Sequence, residues 1–434
     1  MHRRVNRYGP LPSASSAPSR AQPTAPLPVV DRGPNFAVRW TLYLFVLSLP
    51  LDAPGRFPVE LSSLTGAVFL AATFTQPGLC YRIRPAAFWW FLTYLYMYWL
   101  AYVIAPHFVP ALAAAKSFVF YIQCIMLFIT IFNVMRYEAV MQRTLVMLVI
   151  AAMILALMLV LGIGKTATVS QRAVVLGQNP NWASRILCAG LVTLVGITYG
   201  RARSLLKPKL IAWPLAGLLG LAMIMDGSRG GLVALAGGLW VYSLSGSTIG
   251  VRIRNSVIVF LLMGLAAWGA LESPLMQRRI EQAEQGNLAQ RQNIFPAAWQ
   301  MFKDRPLTGW GPSNQTVLAI RLRLPPALHE QRDTHNLFLE LMTATGLMGT
   351  IPFMLGLWLC VQRAWKARRG PEAMLPFATV GSLFLSNLSG DYIVLKLQWL
   401  LLAYALAAGY FRTPQPYQAV MLRRPSRGER QRRG

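Results

Sequence analysis

The sequence predicts an all-α fold, a polytopic bundle of transmembrane helices with one long, partly helical loop on the outer face. Hydrophobic residues make up 55% of the 434 residues and charged residues only 13%, which is less charge than a soluble protein of this size carries. Apolar runs long enough to cross a bilayer recur along almost the whole chain. Basic residues cluster in alternate loops, which is the pattern of a multi-pass protein.

Counting roughly 17–25 apolar residues as one crossing gives about twelve spans. They are predicted at residues 36–53, 59–76, 86–105, 112–134, 144–163, 181–199, 210–225, 229–246, 255–271, 336–360, 373–389 and 392–411. The chain is thus divided into a disordered, Pro-rich and Ser-rich cytoplasmic tail at 1–35, spans one to nine within 36–271, a loop at 272–334, spans ten to twelve within 335–411, and a basic cytoplasmic tail at 412–434.

Every second loop carries Lys and Arg, so the positive-inside rule places both termini in the cytoplasm. The formal net charge of +27 therefore reflects topology. We expect membrane lipids and no nucleic acid among the partners, because the basic residues lie between apolar runs and not on one soluble face. Residues 272–334 form an outer loop too long for a bare connector. We expect helical material at Met276–Arg291, and an amphipathic helix at Asn293–Lys303 that could lie along the membrane surface.

Four arginines are predicted on the outer face against this tendency: Arg172, Arg185, Arg229 and Arg291. Arg229 is the most informative, since it stands in the short, glycine-flanked turn Asp226–Gly231. A guanidinium there offers a planar fork for phosphate or carboxylate. The alternative is a snorkelling arginine or a partner for Asp226.

A second group of ionisable residues lies where the outer loop meets the tenth span. His335 could accept a proton from a sugar hydroxyl, or it could hydrogen-bond the start of the helix. Glu340 is expected to form a buried pair with Lys396 or Arg185. Asp391, at the outer end of the last span, could orient His335 or Arg229.

The remaining polar signals are weaker. Asn179 and Asn181 begin the sixth span, where they could cap the helix or bind sugar hydroxyls, and capping is the safer interpretation. The four cysteines lie in or beside apolar runs without a CxxC pair and are interpreted as packing residues. Spacing suited to a metal site is lacking, so neither a metal nor another cofactor is expected.

With these motifs identified, the chain resembles the O-antigen ligase family, within the ligase/polymerase superfamily of integral membrane glycosyltransferases. The resemblance covers roughly residues 175–360 and is carried by Asn179-Pro180-Asn181, Gly227–Gly231, the segment Arg291–Gly311, and Thr334–Glu340 followed by Gly346 and Gly349.

The resemblance implies a metal-independent, inverting reaction on the periplasmic face of a Gram-negative inner membrane. Polysaccharide would pass from undecaprenyl diphosphate to a hydroxyl of the lipid A–core oligosaccharide. The family's essential residues match Arg229, Arg291 and His335 as the catalytic set, with Asp391 at the outer end. Arg185, Arg172, Asn179 and Asn181 complete the expected diphosphate-binding and sugar-binding set.

Three alternatives remain open from the sequence. An O-antigen polymerase or a protein O-oligosaccharyltransferase would use the same donor, although no soluble C-terminal domain typical of the latter is visible. A transporter or flippase would favour broken helices near mid-bilayer and inverted repeats. Here the candidate residues gather at the outer ends of spans, which favours an enzyme working at the membrane surface.

Overall fold

The described body is helical, with its helices formed by the apolar runs of the sequence. The structure is a computed structural model that describes residues 33–52, 59–167, 173–200, 209–272, 277, 281, 291–325, 333–390 and 393–412. All described helices belong to one compact body, residues 34–434.

Fifteen helices are numbered here among the described residues. They are α1 (Phe36–Ser48), α2 (Leu61–Thr73), α3 (Pro77–Cys80), α4 (Ala86–Ile104), α5 (Ala111–Val134), α6 (Glu138–Leu161), α7 (Pro180–Tyr199), α8 (Lys209–Asp226), α9 (Arg229–Ser243), α10 (Ile249–Leu271), α11 (Arg291–Asp304), α12 (Asn314–Arg321), α13 (Leu337–Ala367), α14 (Leu375–Asn387) and α15 (Lys396–Phe411).

A helix lies at each of the twelve predicted spans, so the all-α fold class is confirmed. Six described helices are long and apolar enough to cross a membrane, namely α4, α5, α6, α7, α10 and α13. Residues 36–51, 61–73 and 210–226 form shorter apolar helices. The count of twelve crossings, like the side of the membrane assigned to each loop, stays a prediction.

One short hairpin interrupts the helical pattern and was not predicted. Strands β1 (Lys165–Ala167) and β2 (Ala173–Val175) pair antiparallel, with Lys165 opposite Val175. The chain leaves α6 through Gly162 and Gly164, both at positive φ, which glycine adopts without steric cost. The hairpin connects α6 to α7 in the loop predicted after the fifth span.

The centre of the bundle is built from aromatic residues on four helices. Phe91 of α4 lies 5.2 Å from Phe128 of α5, 5.4 Å from Phe353 of α13 and 5.1 Å from Trp399 of α15, measured between ring centroids. Edge-to-face and tilted contacts of this kind add to the stabilisation from apolar burial. In contrast, the most apolar stretch of α10 buries no residue inside the protein, as expected for a lipid-facing helix.

A break in α13 attaches the long loop that precedes this helix to the bundle. Gly346 has φ +55 inside this helix, and the free amides of Leu347 and Met348 donate to the carbonyls of Pro306 and Leu307, at 2.8 and 3.1 Å. The two backbones approach so closely that a Cβ at Gly346 would lie 2.3 Å from the carbonyl carbon of Leu307. The loop after α11 is therefore held in register with the first turns of α13.

The long loop contains a helix at the predicted amphipathic segment. This helix is α11, and its buried residues Ile294, Ala298 and Met301 pack against α12 and α13 within the protein. Its position along the membrane surface stays a prediction. The hydroxyl of Ser313, just before α12, accepts from the amide of Phe108 at 3.2 Å. The helical material predicted at Met276–Arg291 lies largely outside the described residues, as do the tails 1–32 and 413–434.

Candidate functional site

The carboxyl end of α14 is the point at which several candidate residues meet. Arg185 donates to the carbonyl of Ser386 at 2.7 Å, and Arg291 donates to that of Ser389 at 2.7 Å. Between them, the amide group of Asn336 donates to the carbonyl of Leu388 at 3.2 Å. The last carbonyls of a helix lack partners within it and carry partial negative charge, which guanidinium groups satisfy. Residues 386–389, which we call the α14 end, therefore hold α7, α11 and α13 together.

Arg229 is the first residue of α9 and lies beside the α14 end. Ser228 caps the helix by accepting from the amide of Gly231 at 3.2 Å. A Cβ on Gly230 would stand 2.3 Å from the Ser389 hydroxyl oxygen, so only glycine permits this approach. The Arg229 side chain is exposed, and its guanidinium forms no hydrogen bond or ion pair with a described residue.

Arg229 and Arg291 line one pocket of about 430 Å³, together with Gln292, Phe295 and Pro296 of α11. Arg291 is half-buried and donates to the carbonyl of Ser389, whereas Arg229 is exposed. Two guanidiniums on one pocket attract a ligand with more than one negative charge, since each supplies a planar pair of donors. The pocket therefore suits a phosphate-bearing group.

His335 lies at the foot of α13 with a carboxylate partner that the sequence analysis did not name. Its Nδ1 is in contact with Oδ1 of Asp333, which also accepts from the His335 backbone amide at 3.3 Å. Each of the two side chains is 25% exposed. With Nδ1 donating to the carboxylate, Nε2 keeps the lone pair, which is the form required of a base.

The backbone holds His335 in an unusual conformation. Its φ is +51, a region that costs free energy for residues other than glycine. The residue before it, Thr334, donates its amide to Glu340 at 3.2 Å and its hydroxyl to the carbonyl of Asn336, the residue after it, at 2.9 Å. Asn336 caps α13 by accepting from the amides of Phe338 and Leu339. These bonds fix the direction in which the imidazole leaves the backbone.

The asparagines at the start of α7 have separate roles. Asn179 caps α7 by accepting from the amide of Asn181 at 2.9 Å, so the capping interpretation is confirmed for this residue. Asn181 accepts from the Ser228 hydroxyl at 3.3 Å, which links the start of α7 to the turn that carries Arg229.

The buried pairings expected for Glu340 are wrong. Its carboxylate accepts from Asn314 at 2.5 Å as well as from the Thr334 amide. Lys396 pairs instead with Glu60 at 3.1 Å, and Arg185, buried to 5% exposure, donates to Ser386. The expectation failed because groups of distant segments satisfy these residues, amides for Glu340, a carboxylate for Lys396 and a carbonyl for Arg185, and sequence spacing does not reveal such partners.

The structure brings some of the predicted site residues together and separates others. Arg229 and Arg291 share a pocket, and Arg291 and Asn336 bind successive carbonyls of the α14 end, which brings the segment bearing His335 close to Arg291. His335 is not among the described residues on the wall of that pocket. Arg172 and Asp391 lie outside the described residues.

Comparison with protein families gives one match. Residues 214–354 match the family model described as O-antigen ligase. The match supports the O-antigen ligase family and covers about a third of the chain. The matched segment contains Arg229, Arg291 and His335. A comparison with curated proteins found no match.

The family match and the apolar helices together indicate the general class of the protein. The match supports the ligase/polymerase superfamily, whose members are glycosyltransferase-like enzymes of glycan assembly acting on lipid-linked glycans, and the apolar helices support an integral membrane protein.

Three features of the described structure escaped the sequence analysis. Asp333 stands only two residues before His335, and that spacing was a usable signal for an Asp–His pair. The α14 end carries no such signal, because it acts through backbone carbonyls that have no residue-specific signature. A second cavity of about 370 Å³, lined by Asp52, Glu60, Glu340 and Lys396 among others, also went unnoticed.

Proposed function

We propose that the chain is an O-antigen ligase. It transfers polysaccharide from undecaprenyl diphosphate to a hydroxyl of the lipid A–core oligosaccharide, at the periplasmic face of a Gram-negative inner membrane. The observation that carries the proposal is the pocket shared by Arg229 and Arg291, next to the α14 end that also binds the neighbour of His335.

The two arginines supply the electrostatic part of the reaction. The leaving group is a diphosphate, and its negative charge grows as the glycosidic bond breaks. Donors fixed in place before the reaction stabilise such charge most effectively. Arg291 is already held by Ser389, whereas Arg229 has its guanidinium available for the ligand. The undecaprenyl chain remains in the lipid, beside the helices.

His335 acts as the general base. As the acceptor hydroxyl oxygen attacks the anomeric carbon, the hydroxyl proton passes to Nε2, and the bond from that carbon to the diphosphate oxygen breaks with its electron pair on the diphosphate. Attack from the side opposite the leaving group inverts the anomeric configuration. Asp333 fixes the imidazole by accepting from Nδ1, and it stabilises the imidazolium that forms.

The test is the lipopolysaccharide of a strain that lacks the gene. A ligase is expected to leave full-length O-antigen unattached on its lipid carrier, and the gene should restore attachment. Variants Arg229→Ala and His335→Ala should fail to restore it, while the exposed control Arg254→Ala should succeed. Attachment of a single repeat unit in the deletion strain would instead identify a polymerase, and unchanged lipopolysaccharide would refute both functions.

A further inference from the structure

The structure contains a second cavity on the other side of the first turn of α7. Its volume is about 370 Å³, within the roughly 300–1,000 Å³ of ligand pockets. It shares no described lining residue with the pocket of Arg229 and Arg291. Trp182 lines this cavity, while the adjacent Asn181 accepts from Ser228, in the turn just before Arg229 that we call the arginine turn. Glu340, one turn into α13 from His335, lines it as well.

The charged groups on the walls of this cavity differ from those of the pocket lined by Arg229 and Arg291. Its described walls carry three carboxylates, at Asp52, Glu60 and Glu340, and two ammonium groups, at Lys116 and Lys396. Lys396 is buried and paired with Glu60 at 3.1 Å. A diphosphate would meet carboxylates at close range, which is unfavourable in a partly desolvated site. A neutral ligand with many hydrogen-bonding groups fits this balance better.

Several wall groups are available to such a ligand. Trp182 is half-buried and stacks on no other ring of the described residues, and Gln315 is half-buried without a hydrogen bond to them. Gln178 is 3% exposed, and its Nε2 donates to the carbonyl of Pro50 at 2.7 Å. Its Oε1 has no hydrogen-bond partner in the described part of the chain. A buried amide oxygen without a partner costs free energy unless something donates to it.

A sugar ring matches these groups. Its hydroxyls both donate and accept, so carboxylate and amide oxygens and amide N–H groups all find partners. The apolar C–H face of the ring packs on a flat aromatic surface such as Trp182, which removes that face from water. The space is suited to one or two sugar residues.

We propose that this cavity binds the terminal sugars of a substrate saccharide, with Trp182 as the stacking surface and Gln315 as a hydrogen-bonding group. The inference rests on the proposed function, because that function supplies the saccharide. The saccharide is either the core oligosaccharide of the acceptor or the polysaccharide of the donor. Its position beside both the arginine turn and the start of α13 places those sugars next to the reacting groups.

Binding of soluble saccharide tests the cavity independently of transfer. The full-length protein in lipid nanodiscs is titrated with delipidated core oligosaccharide and, separately, with polysaccharide released from the donor, and saturation-transfer NMR follows both. One of the two is expected to bind. Trp182→Ala and Gln315→Ala should weaken that binding about tenfold, which corresponds to roughly 1.4 kcal/mol. Trp182→Phe, which keeps a flat ring, should bind nearly as the wild type does.

The matched control is Trp213→Ala, because Trp213 is 55% exposed on α8 and lines neither cavity. All variants are first checked for a monodisperse elution profile and unchanged thermal stability. In transfer assays, the cavity variants should raise the KM for the saccharide that binds and leave kcat within about twofold, since only ground-state binding is lost.

The outcomes separate this inference from the proposed function. Binding of neither saccharide, or equal binding by wild type and Trp182→Ala, would overturn the cavity assignment even if transfer is normal. Loss of binding in Trp182→Ala without any detectable transfer by the wild type would support the cavity and reject the ligase. The saccharide that binds identifies which substrate occupies the cavity.

Discussion

The two arginines of the pocket differ in how they are held, and their substitutions should differ accordingly. Arg291 has a fixed bond to Ser389, whereas Arg229 is exposed and has its guanidinium available to the ligand. Removing Arg229 should therefore act mainly on the ligand. Removing Arg291 should also loosen α11 from the α14 end.

Arg229→Ala is expected to lower the kcat of transfer by about 10²–10³-fold, the effect of losing one donor to a developing oxyanion. Arg229→Lys should recover part of it, because an ammonium keeps the charge but loses the planar fork. Kinetics with purified lipid-linked donor measure this, with Arg254→Ala as the control. Full activity of a folded Arg229→Ala protein would remove this residue from the mechanism.

A second prediction for a single residue concerns Asp333. Asp333→Asn retains the size of the side chain but loses the charge that favours the imidazolium. We expect kcat to fall about tenfold or more, within the roughly 10²–10⁴-fold that a general base contributes. The KM for donor should change little. If Asp333→Asn keeps wild-type kcat while His335→Ala is inactive, then His335 works without this carboxylate.

At the scale of elements, the contact between α9 and the α14 end depends on a missing side chain. Gly230→Ala would place a methyl group about 2.3 Å from the Ser389 hydroxyl oxygen and 3.0 Å from its Cβ, so Ser389 or α9 must shift, and we expect this shift to disturb the carbonyl of Ser389 that holds Arg291. We expect greatly reduced transfer and a lower melting temperature. The double variant Gly230→Ala with Ser389→Gly should restore much of both, because it removes the clashing atom.

Thermal unfolding in detergent and the transfer assay measure this rescue. A double variant as impaired as the single one would show that the contact with Ser389 is not what requires glycine at position 230.

The junction between the outer loop and α13 gives another prediction. Gly309 and Gly346 both have positive φ, and a Cβ on either would lie 2.5 Å or less from a backbone carbon of the other segment. Gly309→Ala and Gly346→Ala should each destabilise the protein by more than the roughly 1–2 kcal/mol of the left-handed conformation alone.

The control is Gly217→Ala in α8, where a Cβ would meet nothing within 4 Å, and its melting temperature should be unchanged or slightly raised because alanine favours helix. The three variants are compared by thermal unfolding in one detergent. Equal melting temperatures would contradict the close approach of the two backbones.

For the whole molecule, the sequence predicted the helices well and the contacts between them poorly. The periodicity and length of the apolar runs correctly predict a helix at every span. A helix satisfies the backbone N–H and C=O groups of such a run within the run itself. The break at Gly346 and the hairpin after α6 were missed, since both depend on segments distant in sequence. The glycine at 346 was noted as a motif, but its partner Leu307 has no signal of its own.

The candidate site shows the same division. Residue type and expected side of the membrane drew attention to Arg229, and the family resemblance added Arg291 and His335; the roles of all three stay predictions. The partners of Glu340, Lys396 and Arg185 could not be predicted, because an amide, a carbonyl or a carboxylate from any segment can satisfy a buried charge. The two cavities are likewise products of packing among helix ends, which a linear pattern does not encode.

The most direct test of the account is transfer by the purified protein. Lipid-linked polysaccharide and lipid A–core are incubated with protein in liposomes containing EDTA, and the product is followed by gel electrophoresis and mass spectrometry. We predict attachment of polysaccharide to lipid A–core with an inverted anomeric linkage, and its loss in Arg229→Ala and His335→Ala. Extension of the donor polysaccharide without attachment, or attachment that persists in both variants, would contradict the account.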